Sequence, residues 1–490
     1  MNSSKDEARQ KLLTELTYIG GAGRAEGESV DGIKRSFYPV SSHLRMLDPD
    51  VVLVVGPRGA GKTAIARVLT ETNFEFYDAI SRRAPAIRLP KTEPRWESGH
   101  PLGRRGFDEI ELSKFINKRG TDTDILQNLW FAYLFRLLSE EMAIEKSNPL
   151  MRVEPADIER NIEIFQSLSA PVSFLDKLDQ KLERENRFIF IIYDEIDTFG
   201  GGKWKFVEAG TRGLVAFWAA YARRWKRIRA KIFLRTDLYA RHAKVGGADL
   251  AKLAANRVDL SWSDKDLYGM LLKRMRNSDG LLADYIGKIR GIQWDSDKIL
   301  GELPILQKWQ DAQPLAKRLV GEYMGANRKK GLVYRWLLDH VRDGLGRAFP
   351  RPFVRLIEVA SHFQLQQRHG APWWPRLLKP SSLRQALDHV SHDHVNQSLD
   401  EWNWLDSVRN RIRGELVPWD KEQGIIRLLE KSWADSEDNA PPLEGRDLLD
   451  YLIEVGILRH RPDGRIDAPD LFLAGLGLRR KGGVQKHPRR

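Results

Sequence analysis

Three uninterrupted apolar runs punctuate the first 260 residues. Val51–Val55 leads directly into GPRGAGKT and the helical pattern AIARVLTET, Phe188–Tyr193 ends in Asp194-Glu195, and KIFL precedes Arg235-Thr236-Asp237. Such short runs, bounded by turn or polar residues, read as strands buried on both faces, which implies a parallel sheet covered by helices. Helical periodicity fills the gaps: Leu126, Trp130, Tyr133, Leu134 and Leu137 share one stripe, residues 174–184 form another helix, and Leu214, Trp218, Tyr221 and Trp225 form a third stripe. The pattern predicts an α/β domain ending near residue 260. Trp130, Trp218 and Trp225 fall on apolar stripes, so core packing explains them better than base stacking.

Beyond Ser263 the pattern becomes all-helical. Ser263 with Asp266 makes a capping-box start, and Pro352 stands where the helix FVRLIEVASHF begins. Past DSEDNAPP, the segment LLDYLIEVGIL reads as a helix, ILRH as a strand, RPDG as a tight turn and RIDAP as a returning strand. Helix plus two-stranded wing resembles a winged-helix module. The expected organisation is an N-terminal extension (1–40) with a Gly-rich connection at 20–29, an α/β core (41–260), a helical lid (261–395) and a winged-helix-like C-terminal domain with a basic tail (396–490). Residues 82–105, rich in Pro, Arg and Gly, read as a surface insertion.

Charge narrows the picture. The chain has 490 residues, 80 Lys+Arg against 67 Asp+Glu, and a net charge of +13. Residues 479–490 and 222–231 carry +6 each and residues 82–105 carry +5, so the remainder is net −4. Localised positive charge suits an anionic partner such as DNA or RNA, although basic runs are as often solvated faces. The absence of cysteine excludes disulfides, Cys-ligated zinc, iron–sulfur clusters and thiol catalysis. No apolar run approaches the roughly 20 residues of a membrane span, and charged residues occupy the place of a signal peptide's apolar stretch. No membrane association and a cytoplasmic location are therefore expected.

The sharpest chemical signal is Gly56-Pro57-Arg58-Gly59-Ala60-Gly61-Lys62-Thr63, a full match to GxxxxGK[ST] after a strand and before a helix. The glycines let backbone N–H groups curl around phosphates at a helix N-terminus. Lys62 would reach the β- and γ-phosphates of ATP, and the Thr63 hydroxyl would ligate Mg²⁺. Asp194 supplies the acidic partner for the metal, and Glu195 is placed to polarise the attacking water. Asp197 alternates away from Asp194 and reads as a helix cap. Arg235 or Thr236 could sense the γ-phosphate from the neighbouring strand end, with an ordinary salt bridge or turn as the competing reading. Candidates for neutralising transition-state charge are Arg351 and Arg355 in cis and Arg223, Arg224 and Arg227 in trans. His392, Asp393 and His394 make a poor metal site, because adjacent histidines on a helix project apart.

From Ser42 to Ala360 these features resemble the AAA+ and STAND division of P-loop ATPases. More narrowly, YPVSSHLRMLDPDVVLVVGPRGAGKT, IFLRTDL, NRVDLSWSDKDLYGMLLKRM and DGRIDAPDLFLAGLGL are similar to bacterial Sll1717-like ATPases, which often accompany effector genes in defence loci. The resemblance implies Mg-dependent ATP hydrolysis that drives switching or assembly, a homo-oligomer whose sites are completed between subunits, and control of a protein effector in antiviral defence. The 132 positions between Lys62 and Asp194 exceed what a compact AAA+ core needs, so residues 75–175 are expected as an inserted subdomain. The lid lacks a clean sensor-2 motif, and no ABC-type signature or helicase motif set is evident. Two other readings compete: a DNA- or RNA-binding ATPase of initiator or transposition-regulator type, and a scaffold that holds nucleotide structurally.

Overall fold

The sheet forms where the apolar runs place it, with two strands added. In the computed structural model, β1 (Leu53–Val55), β2 (Arg95–His100), β3 (Ile189–Tyr193), β4 (Ile228–Leu234) and β5 (Val258–Asp259) pair in the order β2-β3-β4-β1-β5, every pair parallel. All of β1 and β3, and all of β4 except Arg229, are buried, as continuous apolar strands between helical layers must be. The model describes residues 2–20, 28–83, 92–100, 109–144, 148, 157–167, 170–244, 248–367, 372–399, 402–433, 440–441 and 443–481. The chain divides into two compact units, Pro39–Ser261 and a second made of Met1–Tyr38 with Trp262–Arg490.

Within the first unit, described parts of the stretch 75–175 pack on the sheet and its helices. Strand β2 is an edge strand on β3, and the helix Thr123–Leu137 packs on the helix Trp204–Tyr221. An edge strand buries fewer of its residues than a central one, and RWESGH accordingly alternates charge with packing instead of showing an apolar run. Its Trp96 ring stacks on Phe190 at 4.3 Å. At Gly99 an added Cβ would lie 2.6 Å from Ile191, so this close approach requires glycine. Trp130, Trp218 and Trp225 are all fully buried, and the Trp130 indole donates to the Gly210 carbonyl at 2.9 Å.

Strand β4 also carries a charge into the core. Lys231 is completely buried, lies 5.2 Å from the Phe190 ring, and donates to the carbonyls of Asp48 and Val51 at 2.5 and 2.6 Å. Burial pushes its ammonium down to about 7, partly offset by the Asp48 carboxylate.

The same physics gives His242 a measurable signature. Burial, then the nearby Arg212 charge, pushes its imidazole down to about 4. The unfolded chain takes up that proton near pH 6.5 and the folded one does not, so this contribution is present above pH 6.5 and is lost as pH falls towards 4. A shift of this size is worth at most about 3 kcal/mol. Denaturant unfolding at pH 7 and pH 4.5 should show a smaller acid-induced loss for His242→Gln than for the wild type. Equal losses would disprove the assignment.

In the second unit, the helix Asn2–Leu16 packs on Pro350–Gln366 and Leu281–Gly287, burying Leu12, Leu13 and Leu16. Thus the segment expected as an extension joins the core of the helical region. The expected all-helical region is interrupted by an antiparallel hairpin, β6 (Gln293–Asp297) with β7 (Gly301–Ile305). Its first strand, QWDSD, is mostly exposed and polar, and its second, GELPI, is short and begins with Gly and Glu, which conceals both from an apolar-run search. Towards the C-terminus come the helix Leu405–Ile412, β8 (Leu416–Val417), the helices Glu422–Leu429 and Gly445–Glu454, then β9 (Arg459–His460) and β10 (Ile466–Asp467) as an antiparallel pair. Trp419 bridges antiparallel to Ile466, and β11 (Arg479–Arg480) runs parallel to β8. Asp467, fully buried, receives Arg480 at 2.6 Å and Arg459 at 3.2 Å, holding β11 in place.

Candidate functional site

The phosphate loop begins where β1 ends, and its first N–H, from Gly56, donates to the Leu234 carbonyl at the end of β4. Gly59 (φ 78°) and Gly61 (φ 97°) occupy the left-handed region that favours glycine, which lets the loop curl before the helix Lys62–Glu71. The first N–H groups of any helix lack intrahelical acceptors, so this turn presents donors and a positive dipole end to an anion. The Lys62 ammonium donates to the Gly56 and Pro57 carbonyls at 2.9 and 3.0 Å, curled over the loop that it would serve.

Because β4 lies between β1 and β3, the loop, Arg235 and the acidic pair line one edge of the sheet. Asp194 follows β3, is nearly fully buried, and its N–H donates to the His100 carbonyl at 3.1 Å. Burial pushes its carboxyl above the ordinary value, while the Thr63 hydroxyl bonded to it and the Lys62 charge pull it back. Thr63 and Asp194 therefore meet as two hard oxygen donors. Magnesium typically takes one or two protein carboxylates and completes its shell with phosphate and water, and this pair fits that demand. Among the described residues, no cluster of three or more His, Asp or Glu offers a protein-only metal cage.

Glu195 comes next with φ 53° and ψ 32°, a left-handed conformation that is uncommon for a side-chain-bearing residue. Its carbonyl receives the Thr198 N–H at 2.9 Å and hydroxyl at 2.8 Å, closing a 3-10 turn. Asp197, expected as a cap, instead pairs with Arg235 at 3.3 Å. Arg235, almost fully buried, makes a two-point contact with Asp237 at 2.7 and 3.0 Å. Arg235 is thus a salt-bridged strand end that reaches the acidic turn through Asp197.

Sequence reasoning missed His100. It ends β2 beside the acidic turn, its Nε2 lies 3.3 Å from the Thr198 hydroxyl, and its Nδ1 is buried without a partner. Burial pushes it down to about 4, with the Glu195 backbone and the Asp197 charge acting in the opposite sense. It is therefore neutral at pH 7. The only signal was a histidine just before a Pro-Gly stretch, which without β2 has no meaning.

The remaining arginine candidates are placed as follows. Residues 222–227 precede β4 and Arg229 lies near its start, at the opposite edge of the sheet from the phosphate loop. Their charge is largely matched: Arg224 with Asp176 at 2.6 Å, Lys226 with Glu183 at 3.1 Å, Arg229 with Asp50 at 3.2 Å, and Arg227 over the Phe188 ring at 4.4 Å. Arg223 is exposed. Arg351 and Arg355 belong to the second compact unit, where Arg355 pairs with Asp393 at 3.0 Å. That contact employs the central residue of the His392-Asp393-His394 cluster, while His394 packs edge-on to Phe472. Most of the basic segment 82–105, and the tail from residue 482, lie outside the described residues.

The fold and site together define a P-loop nucleotide-binding α/β core: a parallel sheet with GxxxxGKT after one strand, Asp-Glu after another, and a polar strand end between them. No family model matches the chain, and no curated protein matches it. Among solved structures, the chain is similar to the Orc2 protein of Aeropyrum pernix in its ADPNP–ADP complexes, with a TM-score of 0.37 at 11% identity over 91% of each chain. The ADP form of the same protein gives 0.31 at 12% over 88% of each chain. Cdc6p of Pyrobaculum aerophilum gives 0.31 at 11%, covering 91% of this chain and 96% of its own. Scores this low describe a partial likeness of the chain trace, and the class stated above stands on the chain's own geometry.

Proposed function

We propose that this chain is a Mg-dependent ATP hydrolase that works as a nucleotide-driven switch. The observation that carries the reading is the meeting of Thr63, Lys62 and Asp194 at one sheet edge, with Glu195 held next to them in a left-handed turn. When bound, Mg²⁺ neutralises phosphate charge and orients the γ-phosphate. The chain's own residues do the rest. The loop N–H groups and Lys62 bind the phosphates, Thr63 and Asp194 hold the metal, Glu195 takes a proton from the attacking water, and Arg235 stands where phosphate charge can be read. The test is release of γ-phosphate by the purified protein, which should require Mg²⁺ and stop on chelation. An absence of turnover with retained, unhydrolysed nucleotide would favour a structural nucleotide instead. Homo-oligomer formation through sites shared between subunits, and control of an effector in antiviral defence, extend this proposal.

Nucleic-acid binding is the second reading, and the order of C-terminal elements favours it: helix, strand, helix, helix, strand, strand, with Trp419 bridged to Ile466. In this reading the helix Gly445–Glu454 would be the recognition helix of a winged-helix module. Its exposed residues are Arg446, Asp447, Asp450 and Glu454, and Arg446 is already paired with Glu422. An acidic face repels phosphate, so in this reading the backbone contacts fall to basic residues elsewhere.

A further inference from the structure

In the second unit, a cavity of about 820 Å³ opens between the hairpin β6–β7 and the short helix Gln313–Leu319. Its volume is within the range of small-molecule sites. Arg290 and Lys317 line it together with the amides of Gln293, Gln307, Gln310 and Gln313 and with two carboxylates, Asp311, which accepts from the Gln307 and Lys308 N–H groups, and Glu322, which accepts from the Tyr323 hydroxyl. Neither cation and none of the four amides is engaged by another described side chain. Solvent-facing cations and amides on one wall offer phosphate binding and base-edge hydrogen bonding together.

A stacking surface adjoins it. Gly321 lines the cavity, and the Arg376 guanidinium lies 3.4 Å from where a Cβ on Gly321 would stand. Arg376 closes a turn by donating its N–H to the Trp373 carbonyl at 2.8 Å. The turn is firmly seated: the Leu377 and Leu378 N–H groups donate to Leu319 at 2.8 and 2.9 Å, and the Tyr285 hydroxyl donates to Pro375 at 2.7 Å. On this turn Trp373 is 86% exposed. An exposed indole three residues from Arg376, whose guanidinium approaches the cavity at Gly321, joins a stacking surface to cations and amides, the combination that binds unpaired bases on a phosphate chain.

We propose that this surface is a second nucleotide-type site, taking a phosphate-bearing ligand with an unpaired nucleobase, either a free nucleotide or a single strand. It is independent of the P-loop. Trp373 stacks the base, the glutamines read its edge, and Arg290, Lys317 and Arg376 bind phosphate.

The test uses the full chain at low salt, with a fluorescein-labelled eight-residue oligothymidylate as probe and AMP or polyglutamate as competitors. The wild type should bind the oligothymidylate, Trp373→Ala should weaken binding by about tenfold, and the double substitution Arg290→Ala with Lys317→Ala should weaken it and flatten its salt dependence. ATP turnover should be unchanged in both variants, whose altered residues are on the surface. Displacement by AMP identifies a free nucleotide as the ligand, and binding that resists AMP identifies a strand. No binding of the oligothymidylate, wild-type binding by both variants, or displacement of the oligothymidylate by polyglutamate would overturn the proposal.

Discussion

Glu195→Gln should retain ATP binding and lose turnover by about 10²- to 10⁴-fold, the usual contribution of a positioned general base. The substitution keeps the size and polarity of the side chain and removes only its capacity to accept a proton. Backbone geometry should survive as well, since the left-handed turn is closed by the Glu195 carbonyl and Thr198, neither of which changes. Single-turnover γ-phosphate release measured beside fluorescent-ATP binding separates the two effects. Turnover at the wild-type rate would remove Glu195 from its role. Loss of binding and turnover together would mean that the side chain holds the site's structure.

Lys62→Ala acts on the ground state instead. Loss of one charge-assisted contact to phosphate, worth about 1.5–3 kcal/mol, should weaken ATP binding by roughly 10- to 100-fold. A second effect reaches the protein without nucleotide. Asp194 is already pushed above its ordinary value by burial, and Lys62 is one of the groups opposing that push. Without it the carboxyl rises further. A raised folded-state value means that the folded chain holds a proton which the unfolded chain has released, so stability falls as pH rises from about 3.8 through the folded value. Lys62→Ala should therefore lose more stability than the wild type between pH 4.5 and 7, and adding Asp194→Asn should cancel that extra loss. Denaturant titrations at both pH values decide it: an extra loss that persists in the double variant would place its origin elsewhere.

The nucleotide edge was legible because its physics is local. A phosphate loop needs glycines at positive φ within a few residues, and β1, β3 and the body of β4 must be apolar on both faces. Features that depend on partners distant in sequence were hidden. Strand β2 looks like a polar loop until it is paired with β3, and with it His100 escaped notice beside Glu195. The hairpin β6–β7 has too few apolar residues to stand out. The basic run 222–231 showed its charge in sequence but not Asp176, Glu183 and Asp50, which neutralise much of it, nor its location at the far edge of the sheet. Asp197 followed the alternation rule and still found Arg235 rather than a cap, because a 3-10 turn replaces the extended chain at that point.

Lys231 ties the strand that carries the phosphate loop to its neighbour. Its fully buried amino group fastens the carbonyls of Asp48 and Val51, immediately upstream of β1, to the middle of β4. In the proposed nucleotide cycle this fastening resists displacement of the loop-bearing strand, whereas the acidic turn at Glu195 follows β3, on the other side of β4.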